Sequence, residues 1–281
     1  ESSKTTYGKI TGIKESENTL KQSVWLPGIG VYSQLTEEIG ILAGIYKGFT
    51  AATPGTADDV NPEESTNFEL GTRFSGDWAF GGQAEVIAFV NNYSEFSGTC
   101  SFAQGSCDNN NTGEQSNAGS AVVYGLEAGW NRQLLLGEFR VPMSSTYTYS
   151  HGEFGDAFVD STGAFGETGQ LIEEGYEIGY LPEHRLNVQL GIGQDKWQLN
   201  TSLLYQSEMR NVPGEGRIDK ADLIEAHTIV DVSASYQYLI DLQFYSTIDN
   251  VFDEQYIAGV KPYGFRPGKP RSINIGAKYS F

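Results

Sequence analysis

Over the last ten residues, apolar and polar positions alternate without a break. Ile273, Ile275, Ala277, Tyr279 and Phe281 fall on one face, while Ser272, Asn274, Gly276, Lys278 and Ser280 fall on the other. A period of two is the signature of an extended strand whose faces meet different surroundings. An aromatic residue closing such a strand matches a transmembrane β-barrel, with its apolar face in lipid and its polar face toward the lumen.

The same period places further strands upstream. Val230, Val232, Ala234 and Tyr236 alternate with polar residues, as do Leu242, Phe244 and Ile248, and only the short stretch 238–240 separates the two runs. Leu186 to Ile192 and Trp197 to Tyr205 flank a turn at Gly193–Lys196. In the first half, Val24 to Leu35 and Gly40 to Phe49 flank Thr36–Glu38. Asn67 to Phe74 and Trp78 to Val90 flank Ser75–Asp77. Ala121 to Trp130 and Glu138 to Tyr149 flank a connection near Gln133–Leu135. Turn chemistry and spacing suit antiparallel hairpins. The pattern predicts eleven strands, with Thr5 to Thr11 as the end of a twelfth.

Connections alternate between about two to six residues and long stretches at 51–64, 93–118, 151–183, 207–226 and 253–269. Outer-membrane barrels have short periplasmic turns and long external loops. That parity runs the last strand from outside to periplasm. Aromatic residues such as Trp25, Trp130, Tyr149, Trp197, Tyr236 and Tyr279 gather near strand ends, where interfacial girdles form.

Composition agrees. Gly (34), Tyr (16) and Phe (15) are abundant, mean hydropathy is −0.35, and no apolar run approaches the ~18 residues of a membrane helix. A secreted β-sandwich or a β-solenoid is the competing class. The net charge of −18 argues against nucleic acid as a partner, because phosphate binding needs basic patches. Acidic residues cluster in the long connections (Asp58, Asp59, Glu63, Glu64, Asp108, Glu114, Glu173, Glu174, Glu177), either as solvated surface or as sites for divalent bridges to lipopolysaccharide. Cys100 and Cys107 lie in a Ser/Asn/Gly-rich stretch and read as a local disulfide formed in an oxidising compartment. With no His beside them, they make a poor zinc site. No metal site or cofactor is expected. His151, His184 and His227 sit at strand–loop borders without ligand spacing, and Asp108–Asn111 lacks the spaced acids of an EF-hand loop.

The segment Asn250–Tyr256, then Gly264–Arg271 and the strand to Phe281, resembles the C-terminal signature of TonB-dependent outer-membrane receptors. Trp25–Tyr32, Gly44–Phe49, Asn61–Ser65 with Glu69–Gly71, and Tyr180–His184 resemble the same family, its ferric-dicitrate-type members in particular. The resemblance implies a 22-strand barrel filled by an N-terminal plug, driven by the TonB complex and importing ferric siderophores. The expectation is therefore an all-β chain in the bacterial outer membrane. Residues 1–281 would be the C-terminal part of the receptor barrel, about 11–12 strands, with the plug domain and the first strands absent. Left open, such a sheet would expose unpaired edges to lipid, where each unsatisfied backbone group costs several kcal/mol.

An anionic ferric chelate would call on Arg or Lys donors. The candidates are Arg210, Arg217, Lys261 and Arg266. Gly264, Pro270, Arg271 and Phe281 belong to the family signature. Arg271 reads as structural, and Phe281 resembles the terminal aromatic signal read by the barrel-assembly machinery. Lipopolysaccharide and outer-membrane lipid are the expected surroundings. A passive porin or small stand-alone barrel is the alternative. An outer-membrane enzyme fits less well, because no nucleophile–His pair shares a strand face and no triad can be traced.

Overall fold

The computed structural model describes residues 2–8, 17–52, 60–76, 81–100, 115–260 and 264–281, with side chains from residue 24 onward. Every regular element among them is a strand. Eleven strands join in one antiparallel meander: Gly28–Gln34, Ile39–Thr50, Glu63–Gly76, Gly82–Ser94, Ala121–Leu136, Phe139–Phe154, His184–Gln194, Trp197–Gln206, His227–Gln237, Leu242–Asp249 and Ser272–Tyr279. Each pairs with its predecessor and successor. Gly28–Gln34 and Ser272–Tyr279 form the two edges.

Register carries the alternation across the sheet, because directly paired residues share a face. Ile275 pairs with Ser246 and Ala277 with Phe244; Phe244 pairs with Tyr236, and Tyr236 with Trp197. On the other half, Ile29 pairs with Ile45, Ile45 with Phe68, Phe68 with Val90 and Val90 with Tyr124. Among the described residues nothing covers this apolar face. Ile275 is 82% exposed, Leu70 64% and Val31 62%. A soluble sheet would bury such a face; a lipid-facing wall does not.

Aromatic residues rim this face at both ends. Toward the short turns, the rings of Phe139 and Trp197 lie 6.1 Å apart, Tyr238 and Phe244 6.2 Å, and Tyr279 and Phe281 5.6 Å. Toward the long connections, His184 packs on Tyr147 and Tyr149, and His151 on Tyr124. Two such levels are what a membrane barrel places at its interfaces.

The buried apolar core lies elsewhere, in the long connections and the strand ends that carry them. Ala118, Phe154, Ala164, Phe165 and Ile172 form one cluster, with Phe96, Phe158, Tyr176 and Ile178 against it. Met209, Ile224 and Val260 form a second, with Tyr180 and Ile257 against it. Four short hairpins stiffen these connections: Ser97–Thr99 with Gln115–Asn117, Phe158–Asp160 with Gln170–Ile172, Met209–Arg210 with Leu223–Ile224, and Ile257–Gly259 with Arg266–Pro267.

Three expectations need correction. The turn placed at Gln133–Leu135 lies at Gly137–Glu138, and pairing continues to Leu136↔Phe139. Gly137 takes φ +63°, which a two-residue hairpin turn requires and which Gly adopts without strain. The first sheet strand starts at Gly28 rather than Val24. Thr5 to Thr11 does not add a twelfth strand to the sheet: Ser2–Gly8 pairs with Glu17–Ser23 in a separate hairpin. Trp78, expected to open a strand, lies outside the described residues.

The mouth above the strand wall

The last long connection is tied down at its base by the residues of the Asn250–Asp253 step. Asn250 is 2% exposed and takes φ +49°, a left-handed conformation that Asn tolerates better than most residues. Its backbone N–H donates to Asp231 Oδ1 at 2.7 Å, on the neighbouring strand. Its side-chain amide donates to the carbonyls of Glu254 and Lys269, both at 2.9 Å, and its Oδ1 accepts from the Glu254 N–H. One side chain therefore staples both ends of the connection. Arg271 completes the base. Its N–H donates to Asp253 Oδ1 at 3.0 Å, and its guanidinium stands 3.9 Å from Asp253 Oδ2. Lys269 pairs with Asp249, which also accepts from the Ser272 hydroxyl. Gly264 holds φ +103° and donates its N–H to the Val260 carbonyl at 2.8 Å, a turn closed to residues with a Cβ. Pro270 and Phe281 are exposed.

The connection 151–183 links its neighbours on both sides. On one side Phe154 and Phe165 pack on Phe96. On the other, Tyr180 accepts the Val260 N–H on its hydroxyl at 2.7 Å and donates its own N–H to the Arg210 carbonyl at 2.8 Å. Inside the connection, the buried Asp160 carboxylate organises its own turn. It accepts the N–H groups of Thr162, Gly163 and Ala164 on Oδ1 and of Phe165 and Gly166 on Oδ2. A buried carboxylate needs such donors, and the backbone amides supply them. At the rim, Ser120 donates from its hydroxyl and backbone N–H to Asp156, which holds that carboxyl below its ordinary range.

Arg210 is 7% exposed. Its Nε donates to Glu177 Oε2 at 2.7 Å and its Nη2 to the Gly216 carbonyl at 2.9 Å. It holds 207–226 against 151–183. Beside it opens a cavity of about 590 Å³ lined by Leu181, Glu183, Glu208, Arg217, Asp219 and Lys220, among others. Arg217 and Lys220 are exposed there.

Beneath the mouth, the inner face of the sheet is a polar wall. Gln189, Asn200, Ser202, Asp231, Ser233 and Thr247 line one concavity of about 500 Å³. Toward the first strands the wall carries charge and aromatic rings. The Tyr46 hydroxyl donates to Glu69 at 2.6 Å, Arg73 pairs with Glu85, and the Arg73 guanidinium lies 5.8 Å from the Tyr32 ring centre.

Residues 2–251 match the family model described as TonB dependent receptor-like, beta-barrel. The chain belongs to that family. The family is one of outer-membrane receptors and transporters rather than enzymes. Solved structures of receptors share the fold. The siderophore receptor PiuA from Acinetobacter baumannii superposes with a TM-score of 0.70 at 13% identity, over 98% of this chain and 38% of its own. The ferric enterobactin receptor PfeA from Pseudomonas aeruginosa, a mutant in complex with enterobactin, gives 0.64 at 20% identity over 92% and 41%. The ferric-catecholate import receptor Fiu from K12 E. coli gives 0.63 at 16% over 100% and 40%. This chain thus spans about 40% of the length of the receptors it matches. A search of curated proteins gives no match.

On this TonB-dependent receptor barrel, the three candidate cations among the described residues do not line one cavity. Arg210 and Arg217 share the cavity of the 207–226 connection, Arg210 engaged and Arg217 exposed. Arg266 is exposed on the hairpin of the last connection, opposite Gly259, and Lys261 lies outside the described residues. Cys100 is 2% exposed and disulfide-bonded; Cys107 lies outside the described residues. Sequence reasoning passed over Asp160, Tyr180 and Asn250 as organisers of the mouth. The Asp160–Gly166 run, an acid followed by Ser, Thr and Gly, carried the signal of a side-chain-capped turn.

Proposed function

We propose that this chain forms the C-terminal part of the wall and mouth of an outer-membrane receptor that imports ferric siderophores. The TonB complex would drive it through a plug domain encoded upstream. The observation that carries the reading is the pairing of a lipid-type apolar face and a polar inner wall with long connections that have cores of their own. A passive pore needs no such built mouth, whereas a receptor that must recognise its ligand does. The structural neighbours named for ferric catecholates and for enterobactin support the ligand class.

Ferric dicitrate, the ligand the sequence resemblance names first, would draw on Arg217, Lys261 and Arg266. The engagement of Arg210 with Glu177 removes one donor from that set. In the same reading, Phe281 presents the assembly signal, and the Cys100–Cys107 disulfide shapes the outer 93–118 connection. Lipid and lipopolysaccharide cover the apolar face.

The test is radio-iron accumulation by cells whose only route for a ferric siderophore is the full-length receptor. Uptake that stops when TonB is removed is the expected result. Uptake that continues without TonB, together with unselected small solutes, would establish a passive pore instead.

A further inference from the structure

Among the described residues, the short turns of the wall are polar with one exception. Thr36–Glu38, Gly137–Glu138 and Asp195–Lys196 each place an exposed charged residue at the turn. The connection between His227–Gln237 and Leu242–Asp249 runs Tyr238–Leu239–Ile240–Asp241 instead. Ile240 is 99% exposed, and Tyr238 and Leu239 are exposed beside it. Strand alternation does not account for them, because the turn lies beyond the last paired residues, Gln237 and Gln243.

The surroundings are apolar as well. Tyr238 lies against Phe244, which pairs with Tyr236 on the outward face. On the next strand Tyr279 pairs with Leu242 and its ring meets that of Phe281. Tyr236, Phe244, Tyr279 and Phe281 are all exposed. The end of the last hairpin is therefore one exposed apolar patch, the kind of surface that marks an interaction site.

The turn is also held in one shape. Gln237 Nε2 donates to the Leu239 carbonyl at 2.7 Å and to the Ile240 carbonyl at 3.4 Å. The Leu242 N–H donates to the Leu239 carbonyl at 3.3 Å, and the Ser280 N–H to the Asp241 carbonyl at 2.9 Å. All three turn carbonyls thus have donors within the protein and need no water. An apolar turn with satisfied carbonyls suits a lipid surface, where an unsatisfied backbone group is costly. The patch also continues the outward wall that this outer-membrane family sets in lipid. Tyr, Phe, Leu and Ile side chains at that level enter the boundary between headgroups and acyl chains.

We propose that the turn 238–241 rests in the phospholipid headgroup layer at the short-turn end of the barrel, while the other short turns stand in water. Leu239 and Ile240 are its lipid contacts, and they anchor the last hairpin. Headgroup depth leaves Ile240 open to aqueous reagents from that side. The anchor depends on the lipid-facing wall and not on which ligand the receptor takes.

The experiment places the fluorophore NBD on Ile240→Cys, Glu37→Cys, Glu138→Cys and Leu70→Cys, one at a time, in the full-length receptor. Each labelled receptor is reconstituted into phosphatidylethanolamine–phosphatidylglycerol vesicles with a spin label on either the headgroup or the middle of the acyl chain. At 240 the expected result is blue-shifted emission and headgroup-label quenching about two-fold or more above that at 37 and 138. Leu70, in the wall, should be quenched best by the chain label. Quenching at 240 no greater than at 37 and 138, with Leu70 still quenched, would overturn the proposal and leave the wall standing. The same result with photocrosslinking of position 240 to a protein in cells would hand the patch to a protein and equally overturn the lipid assignment. Absence of quenching at Leu70 as well would overturn the lipid-facing wall together with the anchor.

Discussion

The hydroxyl of Tyr180 accepts the backbone N–H of Val260 at 2.7 Å, across 80 residues of sequence. Val260 is 5% exposed, so its amide has no water to fall back on. Tyr180 itself holds φ +64°, with its N–H on the Arg210 carbonyl. Three long connections therefore meet at one side chain, and the mouth is built as a unit.

Tyr180→Phe removes the acceptor while keeping the ring. A buried donor left unsatisfied costs about 1–3 kcal/mol. Hydrogen exchange of the full-length receptor should show the Val260 amide and the 257–267 hairpin exchanging some ten-fold faster or more, with the membrane strands unchanged. Unchanged exchange at Val260 would mean the hydroxyl does not hold that connection.

Asp160→Asn replaces a carboxylate that accepts five backbone N–H groups with an amide that has one acceptor oxygen and two donors. Bonds to a charged acceptor are worth about 1.5–3 kcal/mol each in mutational series. The 158–172 hairpin should open, seen as faster exchange at Gly163 through Gly166 and new protease cuts there. The barrel's own unfolding temperature should stay within about 2 °C.

Arg210→Gln separates two possible roles. As a strut, its loss frees Glu177 and the Gly216 carbonyl, and proteolysis within 207–226 should rise. Glu177 is partly exposed, so the cost sits at the low end, about 1 kcal/mol. As a ligand donor, its loss would weaken chelate binding without loosening the connection. We expect the proteolysis change.

The Asp156 carboxyl is held below its ordinary range by Ser120. A group whose folded pKa is depressed stabilises the fold above its unfolded value, near 3.9, and that contribution is lost as pH falls through the folded value. Acidification below about pH 4 should therefore release the 118–120 to 155–156 contact. Ser120→Ala should move that release to higher pH, read from amide exchange at Gly155. A release pH identical in both proteins would contradict the role given to Ser120.

Deletion of Phe281 should lower the amount of receptor inserted in the outer membrane several-fold. Chelate affinity of the inserted fraction should be unchanged. The ring is fully exposed beside Tyr279 and takes no part in the mouth. Equal insertion with and without it would remove the assembly role.

The strand wall was legible because its two faces have opposite solvents. Ile273 to Phe281 reads correctly from alternation alone, and hydrogen-bonded register then copies the pattern from strand to strand. The misplaced turn came where alternation fails. Leu134, Leu135 and Leu136 are all apolar, so the period gives no phase, and the decisive feature is the positive φ of Gly137. The mouth was not legible for a different reason. Its contacts join segments far apart in sequence, such as Phe96 with Phe165 and Tyr180 with Val260. A list of cations cannot show that Arg210 is enclosed by Glu177 while Arg217 stays open. Arg271 was the exception: it sits close to the strand it opens, and its contacts with Asp253 fit the structural reading given to it.

The central claim is a lipid-embedded wall with its long acidic connections on the cell surface. Single-cysteine labelling of the full-length receptor in intact cells tests it most directly, with Arg217→Cys in the mouth and Ile240→Cys at a short turn. An impermeant maleimide should label Arg217→Cys on intact cells and reach Ile240→Cys only after the outer membrane is opened. Labelling of Ile240→Cys on intact cells, with Arg217→Cys protected until lysis, would reverse the orientation and contradict the account.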